Sequence, residues 1–252
     1  MVAEIKGVLL CGGEGTRLRP LTEVVNKHLI RVHDLPMAEY PLKRMILAGV
    51  RKIMIVTGGD NFAAVVKYFG SGCKWGVSIS YAIQDQSGGI AQALGLAEGF
   101  AGDSKVMVCL GDNIWNMNLK PYFEKFSSIT HHAIMFTVES DTPERFGVLK
   151  FDGEKAVDIV EKPAVPPSKW AVSGIYFYSP DVFEVIKALR PSQRGELEIT
   201  DVNRFYIKAN LAWIVKMSGW WSDCGTIDTL LKTEELIKND RLIQTVCPQR
   251  RG

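Results

Sequence analysis

The chain opens on an apolar run, Gly7-Val8-Leu9-Leu10, too short for a helix and passing straight into glycines, which is the pattern of a buried strand. From Met37 to Gly49 apolar positions recur near helical spacing and the segment ends at glycine, so a helix is predicted there. Lys52 to Thr57 and Val77 to Tyr81 read as further strands. A helix is expected from Ile90 to Phe100, then a buried strand from Lys105 to Leu110 that stops at Gly111-Asp112-Asn113. Strands alternating with helices in this way predict a doubly wound, mainly parallel sheet.

The pattern changes in the second half. Ala133 to Glu139, Gly147 to Phe151, Val157 to Glu161 and Ser173 to Tyr178 are short apolar runs broken by Pro, Gly and Asp, which predicts a mixed or antiparallel extension. Helices return at Asp181 to Leu189, between Pro180 and Pro191, and at Thr226 to Asn239, where Leu230, Leu231 and Leu236 make an amphipathic pattern. No repeat, low-complexity tract or linker interrupts the chain. The expected architecture is α/β: a Rossmann-like mixed, mainly parallel sheet flanked by helices, with a small antiparallel extension, in one domain covering residues 1–252.

Composition narrows the partners. Of 252 residues, 46% are hydrophobic and 23% charged, average for a globular chain, which excludes collagen, coiled coil and disorder. Thirty basic against 28 acidic residues leave a net charge of +2, so no broad positive field invites nucleic acid and an anionic ligand must be held locally. The N-terminus lacks the pattern of a signal peptide and no apolar run approaches the ~18 residues of a membrane span. A cytoplasmic protein without a membrane partner is expected. Cys11, Cys73, Cys109, Cys224 and Cys247 are odd in number and form no CxxC, which favours reduced thiols over a disulfide or zinc framework.

The chemistry begins after the first strand. In Gly12-Gly13-Glu14-Gly15-Thr16-Arg17 the glycines let backbone N–H groups approach phosphate oxygens. A dinucleotide fingerprint from Gly13 would need a third glycine where Leu18 stands, and the Gly-Lys-Ser/Thr of a P-loop is absent. Arg17 and, ten residues on, Lys27 are two cations suited to a polyphosphate, although a tight turn flanked by solvated bases fits this segment as well. Asp112 sits at the carboxyl end of a predicted strand, where open α/β sheets place ligands. Glu161-Lys162 pairs an acceptor for sugar hydroxyls with a charge for a phosphate, although read alone such a pair at a strand end is more often a solvated edge than a site. His131-His132 cannot both face one metal from adjacent strand positions. Trp220-Trp221 is read as packing, and the acidic cluster Glu196, Glu198, Asp201 as a charged helix start without assigned chemistry.

The string LCGGEGTRLRPLT followed by NKHL resembles the signature of the sugar-phosphate nucleotidyltransferases. Six more segments resemble that family in the same order: QDQSGGIAQAL, LGDN, ERFGV with EKP, AVSGIYFY, GELEITDVN and WWSDCGT. Together they span Leu10 to about Leu231, and the match is nearest to the short form of the thymidylyl-transferring branch. Cys11, Arg31 and Cys224 depart from the usual residues of their motifs. The resemblance implies a nucleotide-diphospho-sugar transferase fold, with a mainly nucleotide-binding lobe at 1–113, a mainly sugar-phosphate-binding lobe at 114–232 and a C-terminal helix and tail at 233–252.

It also implies a reaction and its residues. dTTP, or UTP as the alternative, and a sugar 1-phosphate, glucose 1-phosphate first, would give a nucleoside diphosphate sugar and pyrophosphate, with Mg²⁺ as cofactor. Leu10, Gly12, Gly13, Gly15, Thr16, Arg17, Gln84, Gly89 and Asp112 are expected on the nucleotide. Asn113, Gly147, Glu161, Lys162, Val172 and Tyr176 are expected on the sugar phosphate, and Asp112 and Asp223 on the metal. Arg17, Lys27, Asp112, Lys162 and Asp223 would carry catalysis, in a homo-oligomer, dimer or tetramer. For Asp223 a helix or turn cap is the other reading of the residues. A nucleotide-sugar binder without turnover is the rival from another class, and the intact cations and carboxylates count against it. A nicotinamide-dependent oxidoreductase is opposed by Leu18.

Overall fold

The computed structural model describes residues 4–13, 15–59, 62–128 and 131–240. Four strands form its parallel half: β1 (Ile5–Cys11), β4 (Lys52–Gly58), β5 (Ser78–Gln84) and β6 (Lys105–Leu110), in the order β5-β4-β1-β6. All point their carboxyl ends the same way, because each is reached by a crossover through helical segments. The helix read at 37–49 is α1 (Glu39–Ala48), stopped by Gly49 at φ 128°. The helix read at 90–100 is two, α3 (Ile90–Gly95) and α4 (Glu98–Ala101). The apolar spacing continues across the break, but Gly95 and Gly99 weaken the helix there, and Gly95 packs against Ile186. The helix α2 (Phe62–Phe69) between β4 and β5, and α5 (Lys120–Phe126) after β6, were not foreseen.

The second half completes the same sheet. β11 (Trp170–Tyr178) lies antiparallel to β6, and β8 (Ala133–Glu139) antiparallel to β11. An unforeseen edge strand, β12 (Ala212–Lys216), pairs parallel with β8. β9 (Gly147–Asp152) and β10 (Lys155–Glu161) form the expected antiparallel extension. A ribbon of β7 (Asn113–Trp115) and β13 (Trp221–Asp223) stands beyond the end of β6, and β2 (Arg31–Val32) pairs with β3 (Leu35–Pro36).

β11 divides the molecule by its alternation. Ile175 and Phe177 face the core of α1 and α5, with Leu42, Phe126 and Phe136, whereas Tyr176 and Tyr178 face the opposite core with Leu94, Val182 and Val202. The last two valines belong to α6 (Val182–Ala188) and α7 (Ile199–Lys208). The strand also changes partners: on one side it pairs with β8 at both ends, and on the other with β9 at Ala171 and with β6 from Ile175 onward. Between those two partners, beside Val172 to Gly174, the sheet opens at the carboxyl end of β6. Finally α8 (Ile227–Asn239), started by a Thr226–Thr229 capping box, packs Leu230 and Ile237 on Leu18, Met37 and Tyr40. Among the described residues no helix is long and apolar enough to cross a membrane. Cys11, Cys109 and Cys224 are buried free thiols and Cys73 is exposed, while Cys247 lies outside the described residues.

Candidate active site

Two cavities meet at the opening in the sheet. The first, about 240 Å³, runs over the ends of β1, β5 and β6 and is lined by Leu10, Gly12, Gly13, Gln84, Gly89 and Asp112 of the expected nucleotide residues. Its walls depend on absent side chains. A Cβ on Gly12 would stand 2.6 Å from Gln84 Oε1, and Gly89, at φ 95°, lies against the Leu197 backbone where no Cβ fits. The second, about 500 Å³, collects Asn113, Gly147, Glu161, Lys162, Val172 and Tyr176, together with Arg17, Asp112 and Asp223. Leu110, Asp112 and Ile90 belong to both, so Asp112 stands on the boundary between them.

Backbone pairing delivers the carboxylates to this boundary. Asp112 follows β6, while in the ribbon Asp223 pairs with Asn113 and the Cys224 N–H donates to the Asp112 carbonyl at 2.8 Å. A residue distant in sequence is thereby fixed beside the end of the central sheet. Lys27 Nζ lies 2.5 Å from Asp112 Oδ2, with both side chains mostly buried, at 11% and 17% exposure. Asn113 Nδ2 donates to Asp112 Oδ1 at 2.8 Å. Burial works against charge on Asp112, but Lys27, His28 and these hydrogen bonds outweigh it and hold the carboxyl well below the usual range. Asp223 goes the other way. Burial and the nearby Asp112 charge raise it, against the pull of Arg145, whose Nη2 is 3.0 Å from Asp223 Oδ2, and of Arg17.

The surroundings of several expected residues bear on their roles. Gly15 and Thr16 do not line the first cavity: the Gly15 carbonyl accepts from Leu18 N–H and Thr22 Oγ1, and Thr16 is exposed. Arg17 lines the second cavity, beside Asp223 and Gly225, whereas Lys27 lines the first. Asn113 is buried with both polar side-chain atoms engaged: Nδ2 donates to Asp112, and Oδ1 accepts from Gly174 N–H at 3.0 Å and Trp221 Nε1–H at 2.7 Å. Its polar side-chain atoms therefore hold the site together. Lys162 adopts φ 40°, and its N–H donates to the Phe146 carbonyl while Nζ stays 3.5 Å from Glu161. Cys224 is fully buried against Thr233 and pushed up to about 12 by burial, so it is not an exposed reactive thiol beside Asp223.

The sequence reading also passed over working residues. His28 lines the first cavity and is kept neutral, pushed down to about 3 by burial and the Lys27 charge. Glu196 joins the first cavity and Glu198 the second, and Arg194 bridges Glu161, Glu196 and Glu198. Arg145, Phe146 and Trp221 line the second. Trp221 does pack, edge-on to Phe146 at 5.4 Å between ring centroids, but its indole also serves Asn113. Both Arg145 and Trp221 sat inside recognised motif strings; the signal for their roles was spatial.

The nucleotidyl transferase family model matches residues 6–240. A glucose-1-phosphate thymidylyltransferase of Neisseria meningitidis is 41% identical over 246 residues, which cover 96% of this chain and 85% of that protein. A Bacillus anthracis protein described as a candidate glucose-1-phosphate thymidylyltransferase, solved with sucrose, superposes with a TM-score of 0.90 at 43% identity, covering 96% of this chain and 99% of that one. A UDP-glucose pyrophosphorylase solved with UDP-glucose gives 0.83 at 25% identity, covering 94% of this chain and all of the other. The chain belongs to the nucleotidyl transferase family, among relatives that carry the name glucose-1-phosphate thymidylyltransferase.

Proposed function

We propose that the protein couples dTTP to glucose 1-phosphate, giving dTDP-glucose and pyrophosphate. The observation that carries this reading is the shared wall at Asp112: one cavity shaped for backbone contact and one rich in charged side chains meet at a single carboxylate. In the reaction a phosphate oxygen of glucose 1-phosphate attacks the α-phosphorus of dTTP, and the bond from that phosphorus to the β-bridging oxygen breaks, leaving pyrophosphate with the electron pair. The attacking phosphate is already an anion at neutral pH, so no general base is needed. What the protein must do is hold two anions in line and offset their repulsion.

The residues divide this work. Lys162, which lines the second cavity, takes the acceptor phosphate. Arg17 and Lys27 serve the triphosphate from opposite sides of the boundary. Glu161 offers acceptors for sugar hydroxyls, and Leu10, Gly12, Gln84 and Gly89 hold the base and its sugar. A magnesium ion suits the Asp112–Asp223 pair, because two hard oxygen donors whose charges oppose each other are what such a cation relieves. When bound it would supply charge neutralisation at the phosphates. Asn113 and the Cys224 N–H hold the Asp112 carboxylate and its backbone in place for it.

The same reading places the protein in the cytoplasm as a homo-oligomer and assigns residues 1–252 to one domain. The supports are the family resemblance and the continuous sheet that joins both halves. Residue 113 does not sort the two cavities by itself, since Arg17 reaches the second and Glu196 the first. UTP is the second reading for the nucleotide, favoured by the UDP-glucose pyrophosphorylase likeness and by uracil sharing thymine's hydrogen-bonding edge. Pyrophosphate release over a grid of nucleoside triphosphates and sugar 1-phosphates tests both. The expected order is dTTP, then UTP within about two decades, then CTP, ATP and GTP far behind. A preference for GTP or CTP would overturn the thymidylyl assignment.

A further inference from the structure

An amide side chain that reads a base carries an ambiguity, because turning it over exchanges donor for acceptor. At Gln84 this ambiguity is removed from behind. Its Nε2 donates to the Gly89 carbonyl at 3.3 Å and to Gln92 Oε1 at 2.5 Å. A backbone carbonyl can only accept, so the group facing Gly89 and Gln92 is the NH₂ and both its hydrogens are committed. Among the described residues Gln84 Oε1 has no hydrogen-bond partner, and it stands over Gly12, where the missing Cβ keeps it open to the first cavity. The Gln84 side chain thus presents an acceptor without an accompanying donor.

We propose that Gln92, one turn into α3 and outside the cavity lining, is a positioning residue that sets the choice of pyrimidine by locking the Gln84 amide. The inference rests on the reading that Gln84 meets the base. Thymine and uracil carry N3–H, a donor that an isolated Oε1 accepts; cytosine carries an unprotonated N3, which meets Oε1 lone pair to lone pair. Gln92 is itself held in place, since its amide packs on the Gly88 backbone so closely that a Cβ on Gly88 would lie 2.7 Å from Gln92 Cδ. The shared Gln84–Gln92 bond is the shorter of the two locks.

The test is calorimetric titration of dTTP and dCTP into the whole protein and two variants. The wild type is expected to favour dTTP. In Gln92→Leu the shorter lock is lost and only the 3.3 Å bond to the Gly89 carbonyl holds the amide, so the dTTP-to-dCTP ratio of dissociation constants should shrink about tenfold, the weight of one hydrogen bond. In Gln92→Glu the carboxylate still accepts from Gln84 Nε2, so the ratio should return to within about twofold of wild type even if both affinities change. A wild type indifferent to the two bases, an unchanged ratio in Gln92→Leu, or a Gln92→Glu ratio that falls as far as that of Gln92→Leu overturns the assignment. Binding is read without turnover. A failure of the thymidylyl-transfer reading shows separately, as absence of nucleotide sugar in an activity assay of the same wild-type protein.

Discussion

The two cavities are built by opposite means. The cavity proposed for the nucleotide owes its shape largely to backbone, with glycines at 12, 13 and 89 and Leu10 and Ile90 as apolar walls, although Lys27, His28, Gln84 and Glu196 also line it. The sugar-phosphate side is made of charged side chains gathered from segments far apart in sequence, among them Arg17, Arg145, Lys162, Glu198 and Asp223. A backbone cavity is rigid and discriminates by shape. A cavity of ion pairs is held by contacts that an incoming anion exchanges for its own. Asp112 is where the two constructions touch, so damage there should affect both ligands.

The largest effect is therefore expected at that carboxylate. Asp112→Asn should lower turnover by roughly 10³-fold or more while thermal unfolding stays cooperative, and Asp223→Asn should do likewise. Pyrophosphate assays paired with melting curves check this. Next come two substitutions that separate the halves. Lys162→Met should raise the KM for glucose 1-phosphate about 10–100-fold with dTTP affinity nearly unchanged. Gly12→Ala forces a methyl group against Gln84 and should weaken dTTP about tenfold while leaving the sugar phosphate alone. Equal loss of dTTP affinity in both variants would break the comparison.

Smaller effects sharpen it. Trp221→Phe keeps the packing on Phe146 but withdraws the Nε1–H from Asn113, which holds Asp112 in turn. A cost of about 1 kcal/mol in stability is expected, with about fivefold slower turnover, read by denaturation and steady-state kinetics. Thr226→Ala removes the α8 cap and should cost ~1 kcal/mol of stability without favouring loss of either ligand.

This asymmetry also explains what the sequence disclosed. β1, α1, β4 and β6 are local patterns that a short window reveals, and so is the glycine-rich loop, because backbone approach to a phosphate leaves glycines in a row. Asp112 was legible from its place at a strand end. The sugar side was legible only through the family resemblance. Nothing in the run Thr142 to Phe146 says that Arg145 will meet Asp223 across the molecule, and that meeting depends on the β7–β13 ribbon. α2 was hidden by valines that fit a strand as well as a helix. The single helix read at 90–100 failed because periodicity carries no record of where two glycines interrupt it.

In the proposed reaction nucleotide and acceptor meet at Asp112. That meeting is tested most directly by incubating the protein with α-³²P-labelled dTTP, glucose 1-phosphate and Mg²⁺, then resolving the labelled products. The expected result is label in dTDP-glucose, with matching unlabelled pyrophosphate, dependent on the acceptor and lost in Asp112→Asn. Label recovered as dTMP, or product formed at the wild-type rate by Asp112→Asn, would contradict it.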